Sequence, residues 1–377
     1  MAALEQWPVE GIPAKPGAWL MTTAKHRAID MLRRQANLSR KQEEIARQVE
    51  ARQLDESDFE KVGEDTIDDD LLGLMFTACH PILPAEARVA LTLRMLGGLS
   101  TDEIARAFLV PVATMAQRIV RAKKALAAAR VPFRVPTGID RAARLGSVLE
   151  VIYLVFNEGY AATAGDDWIR PALCEDAVRL GRVLAELAPR EAEVHSLVAL
   201  MEIQASRLRA RVDRAGDPVL LLDQDRSLWD RLLIRRGLQA LHRAESLGRA
   251  PGFYHLQAEI AACHARALRA DETDWPRIAA LYGELARRAP SPVVELNRAV
   301  AVGMAAGPAA GLEIVDGLLS EPSLREYHLL PTVRGDLLAR LGRVEEARAE
   351  FERAASLTRN ERERRVLRER GGALTRA

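Results

Sequence analysis

The sequence predicts an all-α chain, and three observations carry that expectation. Aromatic residues make up only 5% of 377 residues while Ala, Leu and Arg abound, a composition that favours helices over sheets. Apolar side chains recur at helical spacing, as at Met115, Ile119, Ala122 and Leu126, which fall on one stripe of i, i+4, i+7 and i+11. Glycine and proline fall at the ends of such stretches, as at Gly97-Gly98 and Leu109-Val110-Pro111, where they stop helices. Composition also narrows the classes of function. The net charge is +1, so any nucleic-acid contact must come from a local basic patch. The three cysteines, Cys79, Cys174 and Cys263, are far apart and odd in number; they suggest a reduced compartment without a zinc site or disulfide framework. No run approaches the ~18 apolar residues of a membrane span, and the N-terminus lacks a signal pattern. A cytoplasmic protein is expected.

Taken in order, Met1 to Pro16 is turn-rich, with Pro8, Gly11, Pro13 and Pro16. A helix is expected from about Gly17 to Gln35. Trp19, Leu20, Thr23, Ala24, Ala28, Ile29 and Leu32 form its apolar or small face; Lys25, His26, Arg27, Arg33 and Arg34 form a basic edge. Cations in a last turn complement the helix dipole, and an aromatic beside cations also suits a strand of unpaired bases. Asp55 to Asp70 holds nine acids against one lysine. That is a linker by composition.

Leu71 to Leu96 reads as helical with breaks at Cys79-His80-Pro81 and Leu83-Pro84. His80 beside Cys79 has no second ligand pair nearby and is read as a turn residue rather than a metal ligand. Leu99 to Leu126 then reads as two short helices meeting at a tight turn. Ser100 or Thr101 can cap the first, with Glu103 near the end of its first turn. Pro111 starts the second, whose apolar stripe leaves Ala113, Thr114, Gln117, Arg118, Arg121, Lys123 and Lys124 facing outward. Small and amide residues in front with cations behind is the arrangement of a DNA-reading helix. The same pattern is equally that of a helical hairpin with a solvated basic face.

The segment Arg130 to Pro136 is a proline-bearing linker, and helix follows helix from 138 to 377. A repeat array is expected there. Its clearest unit ends a helix at Leu341-Gly342 and places Ala347, Phe351 and Ala354 on one face of the next. Ala306-Gly307 has the same order 35 residues earlier, and Leu187-Ala188-Pro189 lies 101 residues before Arg288-Ala289-Pro290. Arg359 to Arg370 reads as a polar capping helix. Two segments depart from the repeat pattern. One is the aromatic Ile152 to Tyr160, with an expected Asn157-Glu158-Gly159 turn; the other is the acidic Asp213 to Asp230. Asp223, Asp225 and Asp230 could bind a cation but lack the glycine and terminal glutamate of an EF-hand loop, so packing and interdomain contacts are the expected purpose of both segments. His195, His255 and His264 fall within helical patterns. No catalytic triad order, phosphate-binding glycine loop or HExxH motif occurs, and neither an enzyme, a cofactor nor a metal is expected.

Two stretches carry a family resemblance. GIPAKPGAWLMTTAKHRAIDMLRR resembles the promoter-melting, −10-reading helix of RNA polymerase sigma factors of the extracytoplasmic-function type. FTACHPILPAEARVALTLRMLGGLSTDEIARAFLVPVATMAQRIVRAKKAL resembles their −35-reading domain. The resemblance implies a remnant of sigma region 2 over 1–38, an acidic linker over 39–70, a helix-turn-helix region 4 over 71–130 and a short linker over 131–137. A tetratricopeptide-like α-solenoid follows over 138–377. It implies −35 contacts by Thr114, Gln117, Arg118, Arg121, Lys123, Lys124 and Arg106. Trp19, Lys25, Arg27, Asp30, Arg33 and Arg34 would line the −10 strand. Core RNA polymerase and promoter DNA are the implied partners, with a protein or small-molecule signal on the C-terminal domain and no membrane. The chain departs from the family pattern in lacking the helices that precede the −10 helix, as expected of a late start, a fragment or a natural truncation. The alternative is a repeat-bearing DNA-binding regulator that does not act as a sigma factor.

Overall fold

The computed structural model describes residues 64–374 except 109, 137 and 163–166. The described residues are helical, with no strand and a single isolated bridge between Val212 and Pro218. They form two compact units. The first takes the described chain up to Ala78 with Ile82–Arg106 and Val110–Arg134; the second holds Cys79–Pro81, Ala107–Leu109 and the chain from Val135 onward.

The first unit holds α1 (Glu64–Ala78), α2 (Ala85–Met95), α3 (Thr101–Ala107) and α4 (Val112–Ala128). The acidic stretch does not remain linker to its end, because Glu64 to Asp70 already belongs to α1. Acids at a helix N-terminus complement its dipole, which is why a run that composition assigns to a linker can start a helix. Pro84 precedes α2, whose Val89, Ala90, Leu91 and Leu93 are buried. The helix stops where Leu96 and Gly97 N–H groups both donate to Thr92 O and Leu99 N–H reaches Leu93 O. Gly98 takes φ +72° to make that turn, and a Cβ on Gly97 would lie 2.7 Å from Leu93 O. Both glycines are needed. Ser100 caps α3 as the sequence suggests: Glu103 N–H donates to Ser100 Oγ at 3.1 Å and Ser100 N–H to Glu103 Oε2 at 2.7 Å. Ile104 and Ala105 are buried. Val110 N–H closes the turn onto Ala105 O before Pro111 begins α4. On α4 the stripe of Met115, Ile119 and Ala122 is buried, while Leu126 is only half-buried. Each fully buried Leu, Ile or Met contributes about 1.5–3 kcal/mol, enough to fix the rotation of so short a helix.

The second unit runs through α5 (Gly138–Tyr160), α6 (Pro171–Leu187), α7 (Ala192–Ala205), α8 (Arg231–Ser246), α9 (Phe253–Arg266) and α10 (Trp275–Arg288). It ends with α11 (Pro292–Ala305), α12 (Pro308–Gly317), α13 (Leu329–Arg340), α14 (Val344–Leu357) and α15 (Glu361–Ala373). From α6 onward each packs on its predecessor, except that α9 packs chiefly on α7. Asn157-Glu158-Gly159 is helical rather than the expected turn. Gly159 packs too closely on the next helix to bear a side chain, since a Cβ would lie 2.7 Å from Cys174 N; Arg170 pairs with Glu158 beside it. All three cysteines are buried thiols.

Three acids of the 213–230 segment, Asp213, Asp225 and Asp230, are turn and cap residues. Asp213 Oδ1 accepts from Ala215 and Asp217 N–H, and Asp225 from Ser227 N–H. Asp230 caps α8 through Leu232 and Leu233 N–H. The Arg359–Arg370 stretch is more than a polar cap. From α15, Arg362 donates to Ala215 O and Arg365 pairs with Asp217, while Asn360 Nδ2 donates to Asp167 O at 3.0 Å. These contacts bridge 147 to 193 residues of sequence, so the last helix does not touch its neighbour alone, as it would in an open array.

Candidate nucleic-acid interface

With Met115, Ile119 and Ala122 turned into the core, the 100° step of a helix dictates what α4 presents elsewhere. Thr114, Gln117, Arg118 and Arg121, at i, i+3, i+4 and i+7, share a single stripe. Thr114, Gln117 and Arg121 are exposed and Arg118 is half-buried. The four line a cleft of about 350 Å³ whose opposite wall is the Ile82–Ala87 segment, with Ile82, Pro84 and Glu86 facing it. Ile82 is 51% exposed.

Among the described residues, no carboxylate lies within ion-pair distance of Arg118, Arg121, Lys123 or Lys124. Some arginines of the second unit are used differently: Arg334 pairs with Asp316 and Glu350, and Arg343 with Glu346. An unpaired guanidinium keeps its planar fork for an outside acceptor, whether a base edge or a phosphate. Lys123 and Lys124 are exposed beyond the stripe, where point charges suit phosphates. Sequence reasoning passed over Val120, 50% exposed beside Arg121. An apolar residue there can meet a thymine methyl group; its signal was an apolar residue standing outside the buried stripe. It also passed over Ile82 and Glu86, which only the fold brings opposite α4.

Arg106 lies near the end of α3, and its side chain is outside the described residues. Trp19, Lys25, Arg27, Asp30, Arg33 and Arg34 lie wholly outside the described residues.

In the second unit, ligand-type atoms of Glu245, His255 and Glu259 lie within 4.8 Å of one another. Protein groups engage all three: Arg266 and Arg277 pair with Glu259 at 3.7 and 3.9 Å, Ser196 Oγ sits 3.3 Å from His255 Nδ1, and His242 Nδ1 lies 3.6 Å from Glu245 Oε2. His195 Nε2 meets Pro189 O at 3.0 Å. Buried His264 is held neutral, its pKa pushed down to about 3 by burial and by Arg207 and Arg226.

Comparison with known proteins bears on these units. Residues 74–126 match the family model for sigma-70, region 4, the span that contains α2, α3 and most of α4. Residues 144–245 match a family of unknown function, DUF6596. A protein of Rhizobium meliloti (strain 1021), described as uncharacterized, is 47% identical over 363 residues, covering 95% of this chain and 84% of that protein. No helix among the described residues is long and apolar enough to cross a membrane.

Proposed function

Because the chain belongs to the same family as that Rhizobium meliloti protein and carries a sigma-70 region 4 segment, we propose that it is a promoter-recognition subunit of RNA polymerase, of the extracytoplasmic-function type. The observation that carries this reading is the stripe of Thr114, Gln117, Arg118 and Arg121, which flanks the face of the helix that is locked in a core. In this reading those four residues reach −35 bases, while Lys123, Lys124 and Arg106 hold phosphates. Trp19, Lys25, Arg27, Asp30, Arg33 and Arg34 line the −10 strand. The protein performs no chemistry, binds no cofactor and works in the cytoplasm; the polymerase makes the RNA.

We read the C-terminal helices as tetratricopeptide-like and regulatory. Two periodicities support this. Gly307 and Gly342, 35 residues apart, both take positive φ, +101° and +75°, where one helix hands over to the next. Ala188 and Ala289, 101 residues apart, end α6 and α10 with nearly the same backbone, φ −132° and −134°, each donating to the carbonyl four residues back.

Capture of core RNA polymerase by the full chain, followed by transcription from a selected promoter, tests the proposal. A sigma factor binds core and directs initiation at a defined sequence. A plain repeat-bearing regulator binds duplex DNA alone and needs another sigma factor.

A further inference from the structure

Three arginines of the second unit lie close together with no carboxylate in ion-pair distance among the described residues. Arg207 is 7% exposed, its Nε has no hydrogen-bond partner, and among the described residues its guanidinium makes no hydrogen bond or ion pair. It faces two rings instead, Tyr160 at 5.8 Å and Trp229 at 5.7 Å. Each ring carries a second guanidinium: Arg211 at 3.6 Å over Tyr160, and Arg226 at 4.8 Å over Trp229. Arg207 therefore bridges two cations through shared aromatic faces.

The partners of those two are neutral. Arg211 Nη2 donates to Tyr160 O at 2.9 Å. Arg226, 5% exposed, donates to His264 O and Ala267 O at 2.8 Å and to Thr273 Oγ1 at 3.0 Å. No carboxylate comes within ion-pair distance of any of the three among the described residues. Elsewhere in the same unit buried acids and arginines do meet, as Glu158 meets Arg170 and Glu202 meets Arg182. Withdrawing cations from water without counter-charge is costly, and removing the partner of a buried ion is among the most destabilising changes a protein suffers. Ring faces, and for Arg226 the field of Asp271 and Glu272, offset part of that cost but leave Arg207 without a matching charge. An oxyanion would complete the arrangement, since a guanidinium fork matches a phosphate or carboxylate with two parallel hydrogen bonds.

We propose that the second unit binds a small molecule through a phosphate or carboxylate group held by Arg207, between Arg211 and Arg226. All three arginines and both rings lie within residues 144–245, the span matched by the family of unknown function. The site is independent of the promoter reading, because its test involves no DNA.

The test is thermal unfolding of the full chain titrated with inorganic phosphate and, in a separate arm, succinate, each against sodium chloride at matched ionic strength. Hydrogen exchange of the wild-type chain is followed under the same conditions. The proposal expects a saturable rise in Tm in one arm, with slowed exchange over 206–211 and 225–229; the arm that responds identifies the anionic group. Arg207→Lys keeps the charge, loses the fork and should weaken the apparent affinity at least tenfold. Arg343→Gln, a surface control, should leave it unchanged. Absence of a saturable response in both arms would overturn the proposal. So would a response that leaves exchange over those segments unaltered, or that Arg207→Lys does not weaken. Should Arg207→Lys fail to fold, the wild-type exchange pattern decides.

Discussion

Ser100 and Glu103 cap α3 reciprocally, each accepting the other's backbone N–H, at 3.1 and 2.7 Å. The pair fixes where α3 begins, and so where the turn before α4 falls. Losing such a cap costs about 1 kcal/mol. Ser100→Ala should therefore lower the opening free energy of the α3 amides by roughly that amount in native-state hydrogen exchange, with Ser100→Asp close to wild type. Equal protection in Ser100→Ala would show that the cap does not set the helix start.

Base reading and phosphate holding separate by experiment. Arg118→Ala and Arg121→Ala should each cost about 1–3 kcal/mol in promoter binding and relax preference at one position. Lys123→Ala and Lys124→Ala should instead weaken all sequences alike. Each should reduce the slope of log K against log salt by about 0.9. Binding titrations at several salt concentrations on preferred and scrambled duplexes distinguish the two behaviours.

Phe351 anchors the last helices. It is 2% exposed, Arg370 lies 4.5 Å over its ring, and a Cβ on Gly335 would come within 3.1 Å of it. Phe351→Ala should destabilise the second unit by about 3–5 kcal/mol. Gly335→Ala should destabilise by overpacking, about 1–3 kcal/mol, and should cost less in the Phe351→Ala background, where the ring is gone. A double-mutant cycle by denaturant unfolding checks the sign of that coupling.

His264 gives stability a pH dependence. Burial, then Arg207 and Arg226, push its pKa down from 6.5 to about 3, so the folded state prefers the neutral ring while the unfolded chain titrates normally. Its contribution is whole above about pH 6.5 and is lost progressively as the pH falls toward 3. Stability of wild type should decline through that window, and His264→Asn should flatten the decline. Unfolding titrations at stepped pH measure it.

Much of the first unit was legible because its signals are local. Ser100 with Glu103, Gly97-Gly98, Pro111 and the Met115–Ile119–Ala122 stripe each act within a few residues, and each does in the structure what its chemistry predicts. The misreadings were places where a helix dipole or a tertiary contact outweighed composition. Acids suggested a linker where α1 begins, and Asn157-Glu158-Gly159 suggested a turn where Gly159 is a packing notch against Cys174. The Arg207–Arg211–Arg226 group was invisible for a different reason. Arginine is abundant in this chain, and no spacing distinguishes one buried among rings from one solvated on a helix face. The cleft opposite α4 depends likewise on Ile82 and Glu86, which no periodicity joins to Arg121.

The sharpest test of α4 as a promoter reader for RNA polymerase is selection of duplexes from a random pool. The full chain together with core polymerase makes the selection, and the Arg118→Ala/Arg121→Ala double variant makes it in parallel. Wild type should enrich one −35-type sequence, and the double variant should lose preference at the positions those arginines read. Enrichment of no sequence, or of the same sequence equally by the double variant, would contradict a promoter-reading α4.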